Sequence, residues 1–367
     1  MATLRDPLPT TPRRSTDTGP PPARRVPLPL LVAGLCAALP VSLACAAGIG
    51  ASGLSWGETL HYLWAGLTGG SLAPDEVPSY VIVWELRFPR AVLAAVVGAG
   101  LASVGVAVQA MVRNALADPF VLGISSGAAV GANAVLIFGA FGALGLWALS
   151  TAAFVSALAA IALVYAVART PRGLTPLRLV LTGTALYYGF SAVTTFMVFA
   201  AEHGEAARSA MMWLLGSLGG ASWSSVPIAA GAVLGGLVHL GWSARRLNAL
   251  AMGDETAAAL GVDADRLRKE LFVTAAAVTG TVVAVSGAIG FVGLMVPHAA
   301  RMLVGADHRK VLAVAPLAGA VLLIWVDILS RVVLAPAELP LGVLTAAIGV
   351  PCFVLLMRRR TYTFGGV

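Results

Sequence analysis

Residues 87–131 read Arg87-Phe88-Pro89-Arg90, then an apolar run rich in Gly and Ala, then Arg113-Asn114-Ala115-Leu116-Ala117-Asp118-Pro119, and finally Gly123-Ile124-Ser125-Ser126-Gly127-Ala128-Ala129-Val130-Gly131. An arginine pair opens the run, a polar break closes it, and a glycine ridge follows. At about 3.6 residues per turn, Gly98, Ala102 and Gly105 share one helical face. Gly123, Gly127 and Gly131 recur at every fourth position, again one face. In an apolar setting such ridges let helix backbones approach closely.

The setting is apolar throughout. Of 367 residues, 58% are hydrophobic and 11% charged, with mean hydropathy +0.88, which excludes a soluble globule. Cys36, Cys45 and Cys352 all sit in apolar runs, giving neither a disulfide framework nor a metal spacing. The five histidines form no ligand-spaced cluster, and His298 after Pro297 reads as a structural hydrogen-bonder, so no metal or other cofactor is expected on this chain. Neither lysine, Lys269 or Lys310, follows a glycine, so no P-loop is present to cradle nucleotide phosphates.

Residues 1–26, rich in proline, threonine and arginine, read as a disordered cytoplasmic tail. Ten apolar stretches follow, near 28–50, 91–112, 121–138, 146–167, 179–200, 226–241, 271–285, 290–303, 311–334 and 341–357. Ser42-Leu43-Ala44-Cys45 faintly resembles a lipoprotein cleavage site. A leader of that length would be unusual, however, and further spans follow, so the first stretch reads as an uncleaved helix. Residues 55–65 predict a short amphipathic surface helix capped by Ser55 with Glu58 three positions on. The charged stretch 245–268 lies outside the membrane. The transmembrane domain then covers 27–361 and a short tail 362–367.

Ten spans put both termini on one side, taken as cytoplasmic. Only four of the 24 Lys and Arg residues, namely Arg87, Arg90, Arg208 and Arg331, then fall outside. This is a positive-inside distribution, and it also excludes nucleic acid as a partner. Spans two to five match spans seven to ten with an odd offset, which predicts two halves of inverted orientation.

Further motifs are Trp213-Leu214-Leu215-Gly216-Ser217-Leu218, Gly253-Asp254-Glu255 running to Leu260-Gly261, residues 287–298 ending Met295-Val296-Pro297-His298, Asp307-His308-Arg309, and Glu338-Leu339-Pro340-Leu341-Gly342. With residues 87–131 these resemble the FecCD-type permeases, the membrane subunits of ATP-driven importers for iron–siderophores, haem and cobalamin. The resemblance implies an all-α integral membrane fold of the type II ABC importer kind, with about ten transmembrane helices. It implies as partners two cytoplasmic ATP-binding subunits, a second permease subunit (the same chain or a paralogue) and an extracytoplasmic substrate-binding protein. The expected cargo is an iron chelate, a ferric siderophore, with cobalamin or haem as alternatives, carried across the plasma membrane. Such a permease is not itself an enzyme.

The same resemblance assigns Arg87, Arg90 and Arg331 to binding-protein docking. It also places the gate loop at Thr175, Pro176 and Leu177, where more polar residues would be usual. Ala115 likewise stands where proline is frequent. On span five Thr184, Tyr187, Tyr188, Ser191, Thr194 and Thr195 recur at helical spacing, a polar stripe expected to border a translocation pathway. Gly253 breaks the chain before Asp254 and Glu255, which suit the positive end of a helix. Ala257 and its neighbours favour helix, Leu260 offers an apolar knob and Gly261 can end it. This segment is similar to the ATPase-coupling loop of other ATP-driven importers.

A secondary transporter would place an ionisable relay in mid-membrane. The only such candidate is Asp327, and Arg331 stands four residues on to pair with it. A membrane enzyme would need a nucleophile–base pair or metal cluster, and neither is present.

Overall fold

The computed structural model describes residues 27–50, 53–170 and 173–359. The tails 1–26 and 362–367, residues 51–52, 171–172 and 360–361, and the side chains of Val121, Leu356, Met357, Arg358 and Arg359 lie outside the described residues. In chain order the helices are α1 (Leu28–Gly48), α2 (Trp56–Thr68), α3 (Val77–Tyr80), α4 (Phe88–Met111), α5 (Ile124–Phe138), α6 (Ala148–Ala168) and α7 (Pro176–Phe199). They continue with α8 (Gly204–Leu214), α9 (Val226–Ala251), α10 (Asp254–Ala259), α11 (Ala264–Ser286), α12 (Val292–Val304), α13 (His308–Val332) and α14 (Leu341–Arg359). No β-strand occurs among the described residues.

Among the described residues, seven helical segments are long and apolar enough to cross a membrane. Three shorter apolar helices, α5, α12 and α14, fill the remaining expected positions. The Ser55–Glu58 capping box is present: Glu58 N–H donates to Ser55 Oγ at 3.3 Å, and Ser55 N–H to Glu58 Oε2 at 2.8 Å.

Helix α4 is the hub, buried along nearly its whole length and packed against α9, α11, α12 and α13. The glycine ridge explains how. A Cβ at Gly98 would land on the Gly319 carbonyl of α13, and one at Gly105 on the Gly293 carbonyl of α12. On α5, Gly127 meets Ala160 and Gly131 meets the Ala152 carbonyl of α6.

Both short helices, α5 and α12, follow a long buried helix and begin after a residue with positive φ, Gly123 at +75° and Phe291 at +67°. They are the third and eighth expected spans, the pairing that the offset of five requires.

Three expectations are corrected. Span six does not end near 241 but runs to Ala251, and span seven starts at Ala264 rather than near 271. Their charged turns are helical because they pair across the two helices: Arg246 Nη1 donates to Glu270 Oε2 at 2.9 Å, and Asp263 caps α11 through the Arg266 N–H. The second span, expected to begin near 91, is helical from Val77 onward. Helix α3, a π-helical turn (Val81–Arg87) and α4 run on continuously, so Arg87 and Arg90 project from helix.

Candidate functional site

Arg87, Arg90 and Arg331 come together at one end of the bundle, around a cavity of about 350 Å³ that Glu338 also lines. Their partners differ. Arg90 Nε donates to Asp327 Oδ1 at 2.8 Å and its Nη1 to Glu338 Oε1 at 2.7 Å. Arg331 Nε lies 3.2 Å from Asp327 Oδ2, the pair expected from the i,i+4 spacing. Asp327 is fully buried, so one carboxylate holds two guanidiniums.

Arg331 also reaches the Ala46 and Ile49 carbonyls at 3.0 and 3.3 Å, and Arg87 the Ala47 and Gly48 carbonyls, each at 3.2 Å. These are carbonyls at or just beyond the end of α1, where a helix lacks intrahelical donors and carries its negative pole. Arg90 and Arg331 are thereby committed inside the chain, whereas Arg87 is only half-buried. The hydrogen bond from Arg90 holds the Glu338 carboxyl below its usual range.

A second cavity, of about 400 Å³, is lined by Thr184, Tyr187 and Tyr188 of α7 together with Asp118, Phe120, Gly290, Phe291 and Leu294. Three of the six stripe residues therefore meet there. Ser191 and Thr195 lie further along α7 and are not in its wall. Thr194 is a correction: it is buried, and its hydroxyl bonds back to the Phe190 carbonyl at 2.9 Å, because its helical position falls at the edge of the stripe. Sequence reasoning left Asp118 without a role. Its carboxylate accepts from the Phe120 N–H at 2.8 Å, and burial pushes its pKa up to about 6.

The expected gate loop is also corrected. Pro176 and Leu177 are the first turn of α7, with Thr175 preceding it, because proline suits the first helical position. Leu174, two residues before Pro176, is buried.

At the opposite end of α4 from the arginine cavity, Gly253 has φ +117° and Gly261 +76°, and between them Asp254–Ala259 forms α10. Asp254 and Glu255 occupy its first turn, Ala257 is buried, and Leu260 is 63% exposed. Asp254 bonds to Arg268, which sequence reasoning missed because the stretch 245–268 reads as uniformly solvated.

No group of three His, Cys, Asp or Glu residues fit to hold a metal occurs among the described residues. His298 is buried with its ring set edge-on to Phe353.

A model described as the FecCD transport family matches residues 38–359. The chain is 44% identical over 302 residues to the cobalamin import system permease protein BtuC of Halobacterium salinarum, covering 81% of this chain and 80% of that one. It is 40% identical over 287 residues to the hemin transport system permease protein HmuU of Yersinia pestis, covering 77% and 85%. Among solved structures, an inward-facing conformation of a metal-chelate type ABC transporter superposes with TM-score 0.78 at 31% identity, covering 90% of this chain and all of that one.

Proposed function

Because the chain belongs to the FecCD transport family, the permeases of ATP-binding-cassette importers for iron chelates, haem or cobalamin, we propose that it moves a ferric siderophore across the plasma membrane into the cytoplasm. The chain is a multi-pass membrane protein, and importers of this family work with an ATPase, a binding protein and a second permease subunit. In our reading two ATPase copies sit on the cytoplasmic side with both termini. The second permease is this chain again or a paralogue, and the chain itself binds no cofactor.

The observation that carries the cargo assignment is the cavity of Thr184, Tyr187 and Tyr188. Hydroxyls on an aromatic wall suit the oxygen-rich, partly apolar periphery of a siderophore, whose hard oxygen donors are those that ferric iron takes. One chain supplies one wall, and the second permease would supply the other. Cobalamin is the second reading, favoured by the 44% identical relative.

The cavity is tested by placing a cysteine at Tyr188, 68% exposed, in a background lacking Cys36, Cys45 and Cys352. In the assembled transporter it should react with a membrane-impermeant thiol reagent, and cargo should slow the reaction. Complete protection in every nucleotide state would remove α7 from the pathway.

Docking of the binding protein is placed at the rim of the arginine cavity. Arg87 faces the partner, while Arg90 and Arg331 form the floor through Asp327. Charge complementarity there would fix orientation and speed encounter. Arg87→Glu should weaken association on the order of tenfold, with recovery on reversing the opposing acid. Binding equal to wild type in a surface-immobilised assay would move the docking site elsewhere. The segment 253–261 is assigned to contact with the ATPase, Leu260 being its knob.

A further inference from the structure

We propose that Arg268 is a positioning residue for transport, the strut through which α10 moves the loop that leads into α7. The proposal rests on the reading of α10 as the ATPase contact and supplies what that reading lacks, a physical path from α10 to the cavity wall.

Arg268 lies in the second turn of α11 and is only 2% exposed. Its guanidinium faces two elements at once. Nη2 donates to Asp254 Oδ1 at the start of α10, and Nη1 donates to the Leu174 carbonyl at 3.3 Å. The other side of the same residue is also gripped, since the Leu174 N–H donates to Asp265 Oδ1 at 2.7 Å. Asp265 and Arg268 are three apart on α11, one turn, so they present neighbouring side chains to one short segment.

The approach depends on Gly173, at φ +95°. A Cβ there would sit 2.5 Å from Asp265 Oδ1. Lys269 holds Asp265 from behind at 3.1 Å. Leu174 is buried, and two residues later Pro176 begins α7, which carries Thr184, Tyr187 and Tyr188. Asp254 has a second cation, Arg113, at 3.6 Å, which ties α10 to the loop bearing Asp118. Displacing α10 therefore pulls on both segments that lead to the cavity, one through Arg268 and one through Arg113.

Stability alone does not account for Arg268. An apolar side chain of similar volume fills such a site as well as a half-buried ion pair does. What an apolar residue cannot do is join two elements by directed bonds. A planar guanidinium does this with a stiffness that lysine lacks.

The test uses the whole complex in vesicles and reads cargo imported per ATP hydrolysed. Arg268→Met, which keeps length and removes both donors, should lower that ratio roughly threefold to tenfold. Arg268→Lys should recover part of the loss. A merely structural role would lower uptake and hydrolysis together and leave the ratio at the wild-type value, and that result overturns the proposal. Should Arg268→Met not assemble, Asp265→Ala decides, since it frees the Leu174 N–H without touching α10 and should lower the ratio by a similar factor.

Leu260→Asp separates the proposal from the reading beneath it. Release of the ATPase on affinity purification supports α10 as the contact. If Leu260→Asp keeps both the ATPase and wild-type coupling, reading and strut fall together. If it releases the ATPase while Arg268→Met and Asp265→Ala keep the wild-type ratio, only the strut falls.

Discussion

Replacing Asp327 with alanine should cost the folded chain about 3–5 kcal/mol, the cost of leaving buried charges unpaired. Asp327 is fully buried and is the carboxylate that Arg90 and Arg331 share. Without it two guanidiniums face each other in a medium with little water to screen them. Arg90 keeps Glu338, but Arg331 is left with neutral backbone carbonyls, those at the end of α1 and that of residue 327 itself. Asp327→Asn should fall between, retaining an acceptor for Arg90 without the charge.

Glu338 does not compensate. Its carboxyl is held below the ordinary range by Arg90, so its contribution is complete above that range and lost only as the pH falls through the lowered value. At neutral pH it is already at its full extent. Thermal unfolding of purified protein in detergent measures the effect. A midpoint for Asp327→Ala equal to that of wild type would show that the cluster is not buried in the assembled transporter.

The second large effect is expected at Gly105. A Cβ there meets the carbonyl of Gly293, and backbone cannot swing aside as a side chain can. Gly105→Ala should therefore separate α4 from α12, at a cost of about 1–3 kcal/mol for overpacking, and Gly105→Val should cost more. Gly100 is a built-in comparison on the same helix. Its neighbours are the Val233 and Val282 side chains, which can give, so Gly100→Ala should be the milder change. Equal midpoints for Gly105→Ala and Gly100→Ala would contradict close backbone packing at the hub.

The glycine positions show why much of this fold was legible. Small residues at helical spacing in an apolar run have few physical uses, and Gly98 and Gly105 take the one that a crowded bundle offers. The cap at Ser55 and the breaks at Gly253 and Gly261 were readable for the same reason, since each acts within a single turn. The ion cluster was only half readable. Arg331 lies one turn from Asp327, but Arg90 is 237 residues from Asp327 and 248 from Glu338, and no local pattern joins them.

Arg268 is the opposite failure. It sits in a charged stretch that composition assigns to solvent, yet it is buried where it bonds both Asp254 and the Leu174 carbonyl, which returns from another part of the chain. The stripe on α7 was over-read at Thr194 because helical spacing fixes a residue's angle but not the width of the surface its neighbours leave open.

The most direct test is ATP-driven uptake. The permease is assembled with its ATPase in vesicles holding ATP inside, and the binding protein is supplied outside. Labelled ferric siderophore, cobalamin and haem are offered separately. The account predicts accumulation of the siderophore that requires both ATP and the binding protein and is absent with a hydrolysis-deficient ATPase. Accumulation driven by an imposed proton gradient without ATP, or ATP-driven accumulation of cobalamin or haem alone, would contradict it.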